Sequence, residues 1–339
     1  MPEPSSNAQV TKLTLISLAI VLRLLLSEPI NAATKKVTWH GYQHAVEITN
    51  EDCRIVLGPE VGGRILEYSI NAKNVLYVSD QEKAWRPGMK PASSAGRFDI
   101  GPELVIPRRD TLWNGEWKAE IVSPFAVRMT SQPDQATGVQ LERLFLLAES
   151  GSYLQCTQTI RNISQQTRQW CHWSRTFAVG KGIVIIPLNA ADQIPQSRFP
   201  NQYVMYQSRG LINVQPEDKA IRKVGNNIEV YPTPANPKLG FDSYAGIIAY
   251  QAPNDLLFVK RFTTYPNRVY NEAAGLTISV WYPDRDMVEL EPIGPREIIR
   301  PGESASFTEH WYLQTLAYPT DGKTVDHTKL QSVLDRLTN

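Results

Sequence analysis

Cysteine is scarce: Cys53, Cys156 and Cys171 are the only three in 339 residues, an odd count with no Cys-x-x-Cys spacing. Neither a structural zinc site nor a disulfide-stapled mini-domain has support from that pattern. Excess charge of one sign is missing too. Thirty-five Lys+Arg stand against 34 Asp+Glu, a formal net charge of +1, and no long single-sign run occurs. A nucleic-acid binder would show a basic footprint, so nucleic acid is excluded as a partner. There is no Gly-x-x-x-x-Gly-Lys-[Ser/Thr], no dinucleotide fingerprint, no His-Glu-x-x-His and no Gly-x-Ser-x-Gly. Nucleotide binding, zincin proteolysis and serine-esterase chemistry therefore lack their local signatures. After residue 33 no apolar run reaches the ~20 residues a spanning helix needs.

What is present is apolar content and punctuation. At 42% hydrophobic and 20% charged the chain can bury a large core, which excludes a disordered or fibrous protein. Twenty-four Pro and 20 Gly, scattered without period, interrupt long helices and favour many short strands. At the start, Lys12 precedes the uncharged stretch Leu13 to Leu22; Arg23, Leu24–Leu26 and the small pair Ala32-Ala33 follow. That is the pattern of a signal peptide over residues 1–33, too short and too soon interrupted for a permanent span. The expectation is a periplasmic or secreted protein without a membrane span after cleavage.

Strand-like segments fill the rest: 45–49, 53–57, 64–70, 74–78, 117–122, 126–130, 139–147, 153–160, 168–178, 182–187, 244–250, 256–262, 276–281, 287–291 and 306–313. Most alternate apolar and polar residues, the period of a half-buried strand. Only the tail, about Thr324 to Leu337, carries a helical stripe, formed by Val325, Leu330, Val333 and Leu337. Ile194 to Gly240 is irregular and reads as loops laid over one face. No linker divides residues 34–339, so the expected fold is all-β, one large antiparallel β-sandwich with a short C-terminal helix. Asn162-Ile-Ser164 reads as a hairpin turn whose arms would carry Cys156 and Cys171, which leaves a cross-strand disulfide open; the alternative is three buried free thiols.

Three places could carry chemistry. In Trp170-Cys-His-Trp173 the alternation puts Trp170, His172 and Ser174 on one strand face and Cys171, Trp173 and Arg175 on the other. His172 is either a structural hydrogen-bonder or a catalytic group. In Met287-Val-Glu-Leu-Glu291, Glu289 and Glu291 share a face. Neighbouring carboxylates repel, which raises one pKa and suits acid/base work; a solvated sheet face is the plain alternative. The segment from Gly96 to Trp117 is dense in charge and aromatics. Arg97, Asp99, Glu103, Arg108, Arg109 and Asp110 could bond hydroxyls there, while Trp113 and Trp117 could stack on a sugar. His40 and His44 read as surface or edge histidines.

The order of three pieces resembles the galactose mutarotase-like (aldose 1-epimerase) superfamily, in particular a bacterial branch of unassigned function. These are Ile55-Val-Leu-Gly-Pro-Glu-Val-Gly-Gly-Arg-Ile-Leu66 followed by Asn74-Val-Leu-Tyr77; Tyr153 to Ser164 leading into Trp170-Cys-His-Trp-Ser-Arg-Thr-Phe177; and Glu289-Leu-Glu-Pro-Ile-Gly-Pro-Arg-Glu-Ile-Ile-Arg-Pro-Gly-Glu303. The resemblance covers nearly the whole mature chain. It implies a supersandwich that takes a mono- or oligosaccharide and interconverts its anomers without metal or cofactor. His172 matches the family's acid; Glu291, with Glu289 as second choice, matches its base. The chain also departs from the pattern, with Trp113-Asn-Gly-Glu116 where the enzymes carry a second histidine. Two rivals follow: a non-catalytic carbohydrate-binding module, and a polysaccharide lyase or hydrolase-associated domain using Tyr265, Tyr270 and the Asp284/Asp286 pair.

Overall fold

The computed structural model describes residues 33–189, 195–207, 210–283 and 286–338. The leader pattern, apart from Ala33, and Asp284 lie outside the described residues. Two antiparallel sheets pack face to face, their strands numbered here in chain order. The larger sheet runs β1 (Ala33–Trp39), β2 (Tyr42–Thr49), β3 (Cys53–Gly58), β4 (Arg64–Ile70), β6 (Gly96–Gly101), β11 (Arg168–Val179), β21 (Met287–Pro292), β20 (Ile278–Trp281), β17 (Lys238–Phe241), β13 (Val204–Tyr206) and β14 (Ile212–Asn213). To it are added β5 (Lys73–Asn74) on β4 and β22 (Glu297–Ile299) on β11. The smaller sheet runs β15 (Ile221–Val224), β16 (Asn227–Val230), β12 (Ile183–Pro187), β18 (Ile247–Ala252), β19 (Leu256–Phe262), β23 (Ser304–Thr315), β10 (Leu154–Asn162), β9 (Val139–Leu147), β8 (Ala126–Thr130) and β7 (Lys118–Ser123).

The burial of each strand follows from what covers its two faces. In β9, β10 and most of β23, buried and part-exposed residues alternate, because one face meets the core and the other meets solvent. In β6 every residue is buried, and in β21 all but Met287 are. The centre of the larger sheet is therefore covered on both sides: by the smaller sheet within, and by loops on the outer face. This explains why Gly96–Gly101, expected to be irregular, is a strand, since double burial erases the alternation that identifies one.

Two further expectations are corrected, and of the two alternatives for the cysteines the buried free thiols hold. β10 belongs to the smaller sheet and β11 to the larger, so the Asn162 turn carries the chain between sheets and does not close a hairpin. All three cysteines are free and buried. The stretch 194–240, read as loops, contributes β13 and β14 to the larger sheet and β15 and β16 to the smaller. The C-terminal helix, expected from about Thr324, spans His327–Thr338. Asp326 caps it: its side chain accepts the Lys329 N–H at 3.0 Å and its carbonyl accepts the Leu330 N–H at 2.9 Å. Leu330, Val333 and Leu334 then pack on Ile183, Ile185, Leu257 and Val259, on the outer side of the smaller sheet.

Candidate functional site

Register alone assembles a polar row on the outer face of the larger sheet. Arg175 of β11 is opposite Arg97 of β6, and Trp173 is opposite Asp99. On the other side of β11, Phe177 is opposite Glu289 and Thr176 opposite Leu290, so the next step brings Arg175 level with Glu291. Ser279 of β20 lies opposite Glu291, and Lys238 of β17 lies opposite Trp281. Period-two alternation sends these side chains to one face, with Thr176 and Leu290 pointing to the other.

The contacts are tight. Arg175 donates from Nε to Glu289 Oε1 at 2.9 Å and from Nη2 to Oε2 at 3.2 Å, and its Nε also lies 3.3 Å from Glu291 Oε1. Asp99 receives Arg109 through two donors, one at 2.6 Å, and has Arg175 Nη1 at 3.7 Å. Lys238 pairs with Glu103 and sits 5.1 Å above the Trp173 ring and 4.9 Å above that of Tyr206. The Glu103 N–H donates to Glu272 Oε2 at 2.8 Å. Gly101 makes room for this: a Cβ there would meet Cys171 Sγ at 2.9 Å and Glu272 Oε2 at 3.1 Å. Trp113 lies among three guanidinium groups, with Arg97 4.4 Å, Arg175 5.0 Å and Arg109 5.8 Å from its ring centre.

Glu289 and Glu291 are fully buried, and burial dominates their titration. It pushes Glu289 up to about 8, helped by the charge of Glu291 and opposed by Arg175. For Glu291 burial acts in the same direction but is outweighed by Lys238 and Arg175, which hold its carboxyl below the ordinary range. At neutral pH the pair thus keeps one proton, on Glu289. Glu272 is also pushed by burial to about 7, against the N–H of Glu103. Among the described residues no hydrogen bond of good geometry reaches either oxygen of Glu291, although Glu289, Ser279 and Arg175 stand beside it.

The expected acid is elsewhere. His172 projects into the sandwich interior, where Nε2 meets the Ala305 carbonyl at 3.1 Å and the ring stacks on Phe98 and Phe307 with centroids 5.8 Å and 5.7 Å away. Burial lowers its pKa to about 4, so it stays neutral. It and Glu291 occupy opposite faces of the same sheet, and the pairing of the two across one sugar ring is corrected.

Trp117 is likewise interior: its ring packs on Gly63, Nε1 donates to the Leu112 carbonyl at 3.2 Å, and 1% of its surface is exposed. It cannot stack on a ligand. Arg97 is on the expected face but buried, its two terminal nitrogens bonded to the Trp113 and Ala92 carbonyls, while its buried Nε has no partner among the described residues. It supports Trp113 from below. Arg108 and Asp110 are exposed and pair with each other. His40 and His44 are exposed, as expected. Tyr270 spends its hydroxyl accepting the Tyr265 N–H at 3.0 Å.

Of the expected residues, Glu289, Glu291, Asp99, Arg109, Glu103 and Trp113 come together on one face. Four more complete it: Arg175, Lys238, Tyr206 and Glu272. Arg175 had a signal, since alternation puts it on the face opposite His172. Of the other three, Tyr206 ends β13 and Lys238 begins β17, both in or at the edge of the stretch read as loops, and Glu272 lies in a loop.

Two large antiparallel sheets packed face to face are the galactose mutarotase-like fold, and this chain has that fold. A putative aldose 1-epimerase from Escherichia coli K12 aligns with TM-score 0.53 over 80% of this chain and 98% of its own, at 12% identity. A galactose mutarotase-like protein from Lactobacillus casei gives 0.57 over 80% and 100%, at 10% identity. A putative mutarotase from Salmonella typhimurium gives 0.56 over 88% and 99%, at 9% identity. At these identities the likeness is one of fold. No family model and no curated protein matches the sequence.

Proposed function

We propose that the outer face of the larger sheet binds a sugar at the Glu289–Glu291 pair, with Arg175, Asp99 and Arg109 beside it and Trp113 at its margin. The observation that carries this reading is Glu291, a buried ionised carboxylate without a well-made hydrogen bond. Such a group costs free energy unless donors reach it, and sugar hydroxyls supply donors in closely spaced sets. Glu289 and Glu291 have no exposed surface of their own, and the charged row meets solvent through Arg175 and Arg109, whose side chains keep 13% and 17% exposed. The mutarotase-like fold agrees with a sugar ligand. The leader pattern places this binding outside the cytoplasm in the same proposal.

A second reading, anomer interconversion, is favoured by the split titration of the pair. Glu289, protonated to about pH 8, would give its proton to the ring oxygen while Glu291 accepts the proton of the anomeric hydroxyl. The C1–ring oxygen bond breaks, C1 turns, and reclosure from the other face returns both protons, so the enzyme ends as it began.

One experiment tests both: anomeric-proton exchange and saturation-transfer NMR with glucose, galactose, rhamnose and uronic acids, on the chain and on Glu291→Gln. Saturation transfer weakened at least tenfold in the variant is the expected result for binding. Absence of transfer to every sugar overturns it. Exchange above the buffer rate, lost in the variant, establishes the second reading; transfer without exchange rejects it.

A further inference from the structure

The mouth of this site is lined by apolar side chains that a bare sugar would not need. Leu104, Val105 and Leu211 are the three most exposed large hydrophobic residues described, at 71%, 68% and 62%, and Val214, just past β14, is exposed to 49%. The first three come from two loops in contact: a Cβ on Gly210 would lie 3.0 Å from Leu104 Cδ1. Single exposed hydrophobics are ordinary, whereas clusters converging from separate loops mark binding surfaces.

Both loops are anchored in the charged row. Leu104 directly follows Glu103, whose N–H is held by Glu272 and whose carboxylate is held by Lys238. The Val105 and Ile106 N–H groups both reach back to the Pro102 carbonyl, at 3.2 Å and 3.1 Å, so the segment is a compact turn. The second loop leaves β13 at Tyr206, whose ring lies under the Lys238 ammonium, and the Gln207 N–H closes it on the Leu211 carbonyl at 2.7 Å. Leu104 therefore stands next to Glu103, and Leu211 next to the Tyr206 end of β13, at the rim of the polar face.

We infer that the ligand of this face is an amphiphilic glycoside, a sugar bearing an alkyl or acyl chain, with the sugar on the Glu289–Glu291 pair and the chain on the lip made by Leu104, Val105, Leu211 and Val214. The inference rests on the sugar-binding reading and extends it to the aglycone. Continuity of the lip with the charged row is what selects this occupant: Leu104 follows Glu103, Glu103 holds Lys238, and Lys238 acts on Glu291, so one molecule with a polar and an apolar part spans both. Covering the lip removes apolar surface from water, which is favourable in proportion to area.

The test is calorimetric titration of the full chain with methyl and octyl glycosides of glucose, galactose, mannose and rhamnose, kept below the micellar concentration. For the sugar that binds, the octyl glycoside is expected to bind at least tenfold more tightly than the methyl glycoside. In Leu104→Ser/Val105→Ser that ratio is expected to fall to about one. A ratio near one in the unaltered chain overturns the lip while leaving sugar binding intact. Equal uptake of an octyl chain on a non-sugar head group, or of phosphatidylcholine vesicles, overturns it in favour of a non-specific apolar or bilayer contact. If neither glycoside of any sugar binds, the sugar reading fails and this inference falls with it.

Discussion

The two faces of β11 each bury charge, and they differ in whether that charge is satisfied. On the inner face Lys260 is held by Ser174 Oγ at 3.1 Å, Thr176 Oγ1 at 3.0 Å, the Leu290 carbonyl at 3.2 Å and Glu309 at 2.9 Å. Glu309 in turn takes the indole N–H of Trp311 at 2.9 Å and the amide of Gln158. On the outer face Arg175 serves Glu289 and approaches Glu291 and Asp99, and Glu291 is left without a well-made bond. Buried charge alone is thus a poor guide to function. The inner ion pair closes on itself, whereas the outer one keeps capacity for a ligand.

If that difference is real, breaking the inner pair should have the largest effect on stability. Lys260→Met leaves Glu309 charged and unpaired in the core, and removing one partner of such a pair costs about 3–5 kcal/mol. Urea denaturation should show that loss, and a much smaller one for Glu291→Gln, which keeps the side chain's shape and gives up the approach of Arg175 at 3.3 Å but no well-formed hydrogen bond. Equal losses in the two variants would erase the distinction between the faces.

Next in size is a contrast in pH dependence, because His172 on the inner face and Glu289 on the outer face shift in opposite senses. His172 falls from about 6.5 unfolded to about 4 folded, so the unfolded chain binds the extra proton and stability is lost as pH drops from 6.5 towards 4. Glu289 rises from about 4.3 unfolded to about 8 folded, so the folded chain binds the extra proton and stability is lost as pH climbs from 4.3 through 8. Melting temperatures at pH 4.5, 6 and 8.5 should show the acid-side loss reduced in His172→Gln, whose amide can still donate to the Ala305 carbonyl. The alkaline-side loss should be reduced in Glu289→Gln, with Glu272 accounting for part of what is left below pH 7. A variant that flattens the opposite limb would show that the two faces have been assigned the wrong way round.

The same contrast explains what could be read from the residues. β9, β10 and β23 declare themselves because one face of each is solvated, and Glu289 with Glu291 declare a shared face for the same reason of period. β6 does not, since burial on both sides removes the polar half of the pattern, and Arg97 and Asp99 were legible as site residues only in type, not as parts of a strand. For His172 alternation separates its face from that of Arg175 but cannot say which of the two looks inward. That depends on Phe307 and Ala305 of β23, more than 130 residues away in the chain. Lys238 and Glu272 reach the row from β17 and a loop whose local sequence carries no mark of their neighbours.

The smallest expected effect concerns the cysteines, which sample both faces without joining them. Cys156 faces inward, with Arg143 Nη2 3.7 Å from its sulfur, and burial pushes its thiol up to about 11. Cys171 is on the outer face among Trp173, Phe199 and Leu276, its thiol pushed up by burial and the nearby Glu272. A bridge between them would have to pass through the larger sheet, linking the satisfied cluster to the open one. Reductant should therefore leave the melting temperature unchanged, and a chromogenic thiol reagent should count three thiols only after unfolding in denaturant. A fall in melting temperature on reduction, or a single thiol counted in denaturant, would mean that a covalent tie couples the two faces and that they cannot be perturbed independently.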